Sequence, residues 1–207
     1  MSITRFAQPS RLRQFELIVE KKSIFVNAHY LAELSPYFHL LCFSEAFREA
    51  REQRAEIEDE LYNEVVEFMD IICPDMQYLA PKPITEKNFS LLVHFSHVMQ
   101  FPKLRRELEE FVEERMMPSQ RKINDETLLE MTVEAKDAQF PPTLLDLMYR
   151  KLAEVGIERV KELVKDFPVD YAESIISEIQ RWTVVFPQTT GYRSCYDYNL
   201  FDRRLFL

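Results

Sequence analysis

Glycine occurs only twice along the chain, at Gly156 and Gly191. A loop that cradles phosphate needs several glycines so that its backbone can approach the anion, so nucleotide-binding loops of that kind are excluded. Tight hairpins of the Asn-Gly type are missing for the same reason. The balance tips towards helices. With 207 residues, 46% of them hydrophobic, the chain can build one compact domain plus an extension, or two small domains.

Charge and thiols narrow the function classes. The formal net charge of −9 has the wrong sign for a phosphate-binding surface, and no nucleic-acid partner is expected. Cys42, Cys73 and Cys195 are odd in number, far apart and without CxxC spacing. They read as free thiols in a reducing compartment, which places the protein inside the cell, in cytoplasm or nucleus. The stretch "MSITRFAQPSRLRQFELIVE" has no apolar signal-peptide core. No run approaches the roughly 18 apolar residues of a membrane span, so no membrane association is expected.

The apolar periodicity divides the chain. "FELIVE" (15–20) and "SIFVNA" (23–28) are short β-branched and aromatic runs that predict two strands, joined by Lys21-Lys22. "AHYLAELSPYFHLLC" then shifts to helical spacing, with Leu31, Leu34, Phe38 and Leu41 at three- and four-residue steps and a break at Ser35-Pro36. "REAREQRAEIED" reads as a charged edge leading to a third strand at 55–57, and Leu61–Cys73 as an amphipathic helix. Thr85 stands where an N-cap hydroxyl is expected, ahead of "EKNFSLLVHFSHVMQ". A helix to Met117 follows, and beyond Pro118 four more helical segments run to Trp182. "ITEKN...HVMQFP" (84–102) recurs as "INDET...KDAQFP" (123–141), which predicts a helix pair stacked on a helix pair.

The segment order, with "FELIVEKKSIFVNAHYLAELSPYFHLL", "FSEAFREAREQRAEIED" and "LYNEVVEFMDIICP...KPITEKNFSLLVHFSHVMQF", resembles a BTB/POZ domain of the nematode type. The resemblance implies an α+β fold, a small three-stranded sheet covered by helices, followed by an all-α, BACK-like extension. The expected division is an N-terminal arm (1–12), the BTB/POZ domain (13–117), the helical extension (118–182) and an aromatic C-terminal tail (183–207). Gln14, Asn27 and Ala28 stand where many members carry an acidic residue and a His-Lys or His-Arg pair. That departure argues against a co-repressor pocket.

Candidate sites follow from the resemblance. Members that recruit a cullin ubiquitin-ligase scaffold carry a hydrophobic-x-Glu motif at the place of Phe47-Arg48-Glu49, and Phe43-Ser44-Glu45 fits the same pattern. An exposed aromatic can fill a partner's pocket while a carboxylate at its rim fixes register. The competing reading is that Phe47 caps the chain's own core. Members also dimerise through the arm and first helix, which makes Ile3, Phe6, Leu12, Tyr30 and Leu34 candidates for a homodimer face. Adaptors of this family usually carry a receptor such as a MATH or Kelch domain, and none is read in this sequence. In the tail, Tyr196, Tyr198, Phe201 and Phe206, with Tyr192, Arg193, Arg203 and Arg204, suit a peptide that docks on another protein or folds back on its own helices.

No catalytic residue, cofactor or metal site is expected. His29, His39 and Cys42 lie close in sequence, but a zinc site needs four convergent ligands and a nucleophile needs a base and an oxyanion loop. His94 and His97 form a second pair with no cysteine or carboxylate at ligand spacing. A hydrolase built on Cys42 or Cys73 is therefore disfavoured against an adaptor, or a BTB scaffold with no ligase link.

Overall fold

A computed structural model describes residues 5–74, 82–117, 120 and 122–185, with side chains as far as Trp182. Strands β1 (Phe15–Val19) and β2 (Lys22–Val26) pair antiparallel, with Val19 opposite Lys22. Every second residue of β1 is buried, so Phe15, Leu17 and Val19 enter the core with Ile24 and Val26 of β2. The loop between them is Glu20-Lys21, one residue earlier than the expected Lys21-Lys22. Both turn residues have positive φ, 49° and 63°. The twist of the strands demands that geometry of a two-residue hairpin, and here it is reached without glycine. Glu20 Oε2 accepts from Lys22 Nζ at 3.4 Å and from the Tyr62 backbone N–H at 3.3 Å, which holds the turn.

Helices α1 (Ala28–Leu34) and α2 (Pro36–Phe43) meet at Ser35, which closes the first and opens the second. The Ser35 hydroxyl accepts from Phe38 N–H at 3.1 Å and donates to Met99 O at 2.6 Å. A buried serine therefore caps α2 and ties the helix break to a distant part of the chain. The charged edge folds into a short helix, α3 (Arg48–Glu52), before β3 (Arg54–Glu56). β3 lies parallel to β1, giving the sheet order β2-β1-β3.

Helices α4 (Tyr62–Ile72), α5 (Phe89–Val98) and α6 (Pro102–Arg115) complete the part that covers the sheet. Thr85 does not cap α5. The Asn88 side chain accepts from Thr85 N–H at 2.7 Å, so residues 85–88 form a turn, and the helix begins only at Phe89. Helices α7 (Asp125–Asp137), α8 (Pro142–Val155), α9 (Ile157–Leu163) and α10 (Val169–Val185) follow.

The weak sequence repeat is a repeat of corner geometry. Gln100 and Gln139 end α5 and α7 with φ of 54° and 57°. Phe101 N–H reaches Ser96 O and Phe140 N–H reaches Ala135 O, each at 2.9 Å, and Gln100 and Gln139 bond back to His97 O and Lys136 O. This is the Schellman arrangement with glutamine in the left-handed position that glycine usually fills. Both phenylalanines are buried, and a proline starts each following helix.

One apolar core runs through the sheet, its helices and the extension. Phe89 of α5 touches the rings of Phe111 on α6 and Phe140 at the α7 corner, at 5.7 and 6.2 Å. Arg105 of α6 lies 3.9 Å over the Phe140 ring and donates to Ala138 O at 2.8 Å, which closes the end of α7 from the neighbouring hairpin.

Candidate protein-interaction surface

Helix α2 is apolar at every position except His39. Its inner face buries Phe38 and Cys42, and the surplus faces out: Leu40 is 52% exposed and Phe43 39%. Phe47, which opens α3, is 44% exposed as well. A helix apolar on both faces is buried on both, or offers one to a partner. Phe47 therefore does not cap the chain's own core. Glu49 is half-buried, and Arg48 pairs with Glu52 at 3.6 Å. The half-buried Tyr37 hydroxyl has its pKa raised, first by burial and then by the charges of Cys42, Glu49 and Glu60.

Phe43 is flanked by two imidazoles. The His29 ring centroid lies 4.8 Å from it and that of His39 6.3 Å. The sequence separates these histidines onto different helices, but the Ser35 break folds both against one ring. Cys42 points the other way, buried, and burial pushes its thiol pKa up to about 12. Burial raises the pKa of Cys73 to about 11, although Arg5 and Arg13 pull it down. Thiols held this far from ionisation are poor nucleophiles at neutral pH. Among the described residues, no group of three or more His, Cys, Asp or Glu side chains is arranged to hold a metal ion. His94 has a carboxylate partner after all, since Glu60 approaches it from 34 positions away.

The candidate dimer residues separate. Ile3 lies outside the described residues, as do Tyr196, Tyr198, Phe201 and Phe206 of the tail. Phe6 is 1% exposed in the single chain, and its carbonyl accepts from Phe25 N–H of β2 at 2.8 Å. It is a core residue here, which corrects its placement on a free dimer face. The physical reason is its neighbour Arg5, which donates to Cys73 O at 2.8 Å and Pro74 O at 3.1 Å and pairs with Asp70 at 3.0 Å. A guanidinium at the C-terminal end of α4 satisfies its last carbonyls and pins the arm. Tyr30 donates its hydroxyl to Ile72 O at 2.9 Å, at the same helix end. Leu34 is half-buried against the core, and Leu12 is 75% exposed.

Comparison with known proteins bears on this surface. The profile of the BTB/POZ domain matches residues 6–116. The chain is similar to Cytokinesis defective protein 7 of Caenorhabditis elegans, 29% identical over 187 residues, covering 87% of this chain and 67% of that protein. It is also similar to BTB and MATH domain-containing protein 38 of the same organism, 26% identical over 162 residues, covering 78% of this chain and 38% of that protein. The chain thus spans about two thirds of one relative and little more than a third of the other. Among the described residues, no helix is long and apolar enough to cross a membrane.

Proposed function

The chain belongs to the BTB/POZ domain family, a family of protein-interaction modules, and on that premise we propose that it is a non-enzymatic adaptor that pairs with a second copy and holds a cullin-type ubiquitin-ligase scaffold. The observation that carries this reading is the exposure of three large apolar side chains, Leu40, Phe43 and Phe47, with Glu49 two positions after the last of them. Apolar anchors of this size fill pockets on a helical partner, and a carboxylate at the rim sets register. We divide the chain into an arm (1–12), the interaction domain (13–117), an extension (118–182) and a tail (183–207), with the extension or tail holding a further protein. An intracellular setting suits Cys42 and Cys73, free thiols whose burial disfavours ionisation.

The test is co-purification of the full chain with a cullin scaffold. Phe47→Ala combined with Glu49→Lys should abolish capture while the thermal transition stays within a few degrees of wild type. Undiminished capture would overturn the adaptor reading. A second reading, a scaffold that uses the fold only to associate, is favoured by the exposed apolar residues Leu40 and Phe43, which lie outside the three-residue motif. It predicts that Phe43→Ala lowers the oligomeric mass by light scattering and that no cullin is captured at all.

A further inference from the structure

A groove of about 430 Å³ lies between α6 and the segment 82–84 that precedes α5. That volume falls within the roughly 300–1,000 Å³ of sites that hold small ligands. Its apolar lining is Pro83, Ile84 and Phe111, the last stacked on Phe89 at 5.7 Å and still half-buried. The α6 rim is acidic, with Glu107, Glu110 and Glu114 all exposed. Lys103 answers Glu107 at 4.0 Å, and Lys82 is held by Asp70, which does not line the groove. Among the described residues, no cation pairs with the side chain of Glu110 or Glu114. The free chain bears a cost for this. Like charges four positions apart on a helix repel. Glu114 also stands in the last turn of α6, where the negative end of the helix disfavours a carboxylate. Arg115, the cation nearest in sequence, is turned to Glu86.

We propose that this groove docks an extended segment of a partner protein in which basic residues alternate with large apolar ones. Glu110 and Glu114 are separated by about 6 Å along the axis of α6, at 1.5 Å per residue. Side chains two positions apart on an extended chain recur at about 6.6 Å, twice the strand rise. Two basic side chains at that spacing meet the two carboxylates. The apolar side chains between them point the opposite way, towards Pro83 and Ile84. Cations seated there cancel the repulsion along α6 and face its negative end, so the electrostatic cost in the free chain becomes attraction in the complex. The groove draws no lining residue from α2 or α3, and it requires neither a cullin nor a second copy.

The test is fluorescence polarisation of the full chain with labelled peptides. Leu-Arg-Leu-Arg-Leu should bind about tenfold more tightly than Gly-Arg-Gly-Arg-Gly, because only the first fills the apolar side of the groove. Glu110→Gln combined with Glu114→Gln should weaken it by about tenfold, the sum expected for two exposed ion pairs. Reversing the charge, with Glu110→Lys and Glu114→Lys, should lose that peptide and gain Leu-Glu-Leu-Glu-Leu, a gain that a misfolded chain would not show. Equal affinity for the leucine and glycine peptides would mean diffuse attraction to a chain of net charge −9, and it overturns the proposal. Undiminished binding by the glutamine variant, or no gain by the lysine variant, overturns it as well.

Discussion

Arg5 shows how much one side chain at the edge of a domain can organise. Its guanidinium meets the carbonyls of Asp70, Cys73 and Pro74 and the Asp70 carboxylate, closing the end of α4 and drawing Phe6 into the core. Charge-assisted hydrogen bonds of this kind contribute about 1.5–3 kcal/mol, so Arg5→Ala should lower the midpoint of urea unfolding by that equivalent and expose residues 5–14 to protease. At the same scale, the thiol of Cys42, with its pKa near 12, should resist labelling at pH 8 in the native chain and react at the rate of a free thiol in denaturant. Fast native labelling would contradict the burial that sets its pKa. The part Arg5 plays and the contact between Glu60 and His94 are not legible in the sequence. Phe6 reads as an apolar arm residue until Arg5 is seen to fix it, and Glu60 joins His94 only because the chain folds back over 34 positions.

At the scale of elements, the left-handed glutamines give a direct test. A side chain at positive φ is strained where glycine is not, so Gln139→Gly should stabilise the chain by up to about 1 kcal/mol, read as a higher melting temperature. Gln139→Val, β-branched in the same conformation, should lower it. The elements with a strong apolar period were legible in advance: β1, β2, the break at Ser35-Pro36, and α8, which runs from Pro142 to Val155 as its sequence suggests. Short elements with weak periods were not. α3 is a five-residue helix in a charged stretch, where the sequence shows only solvated side chains. The start of α5 was misplaced because Thr85 has the chemistry of a cap, whereas the turn at 85–88 uses the Asn88 side chain instead. The α2 stripe did leave a signal. A surface helix reading "PYFHLLCF" has more apolar residues than one buried face can use.

At the scale of the molecule, the core does not stop where the family match does. Residues 6–116 match the BTB/POZ domain, yet Phe89 and Arg105 within that span lean on Phe140 beyond it. Cutting the chain after Met117 leaves those side chains without their cover. The shortened chain should bind a hydrophobic dye and melt less cooperatively than the full one by circular dichroism, and an equally sharp transition would mean the two halves fold independently. The resemblance identified the domain from the order of its segments, but not that its last hairpin and the next share one interior. That sharing depends on which ring faces which, and on two corners bent alike.

The single tryptophan, Trp182, stands near the end of α10 with the Arg150 guanidinium of α8 4.7 Å over its ring. Its emission therefore reports on the seating of α10 against α8, while the far-ultraviolet dichroism averages over all the helices. A fluorescence midpoint that precedes the dichroism midpoint would mark α10 as the first part to peel away. Coincident midpoints would mean that the extension and the sheet share a single fate. The chain carries its own optical gauge of how far its cooperativity reaches.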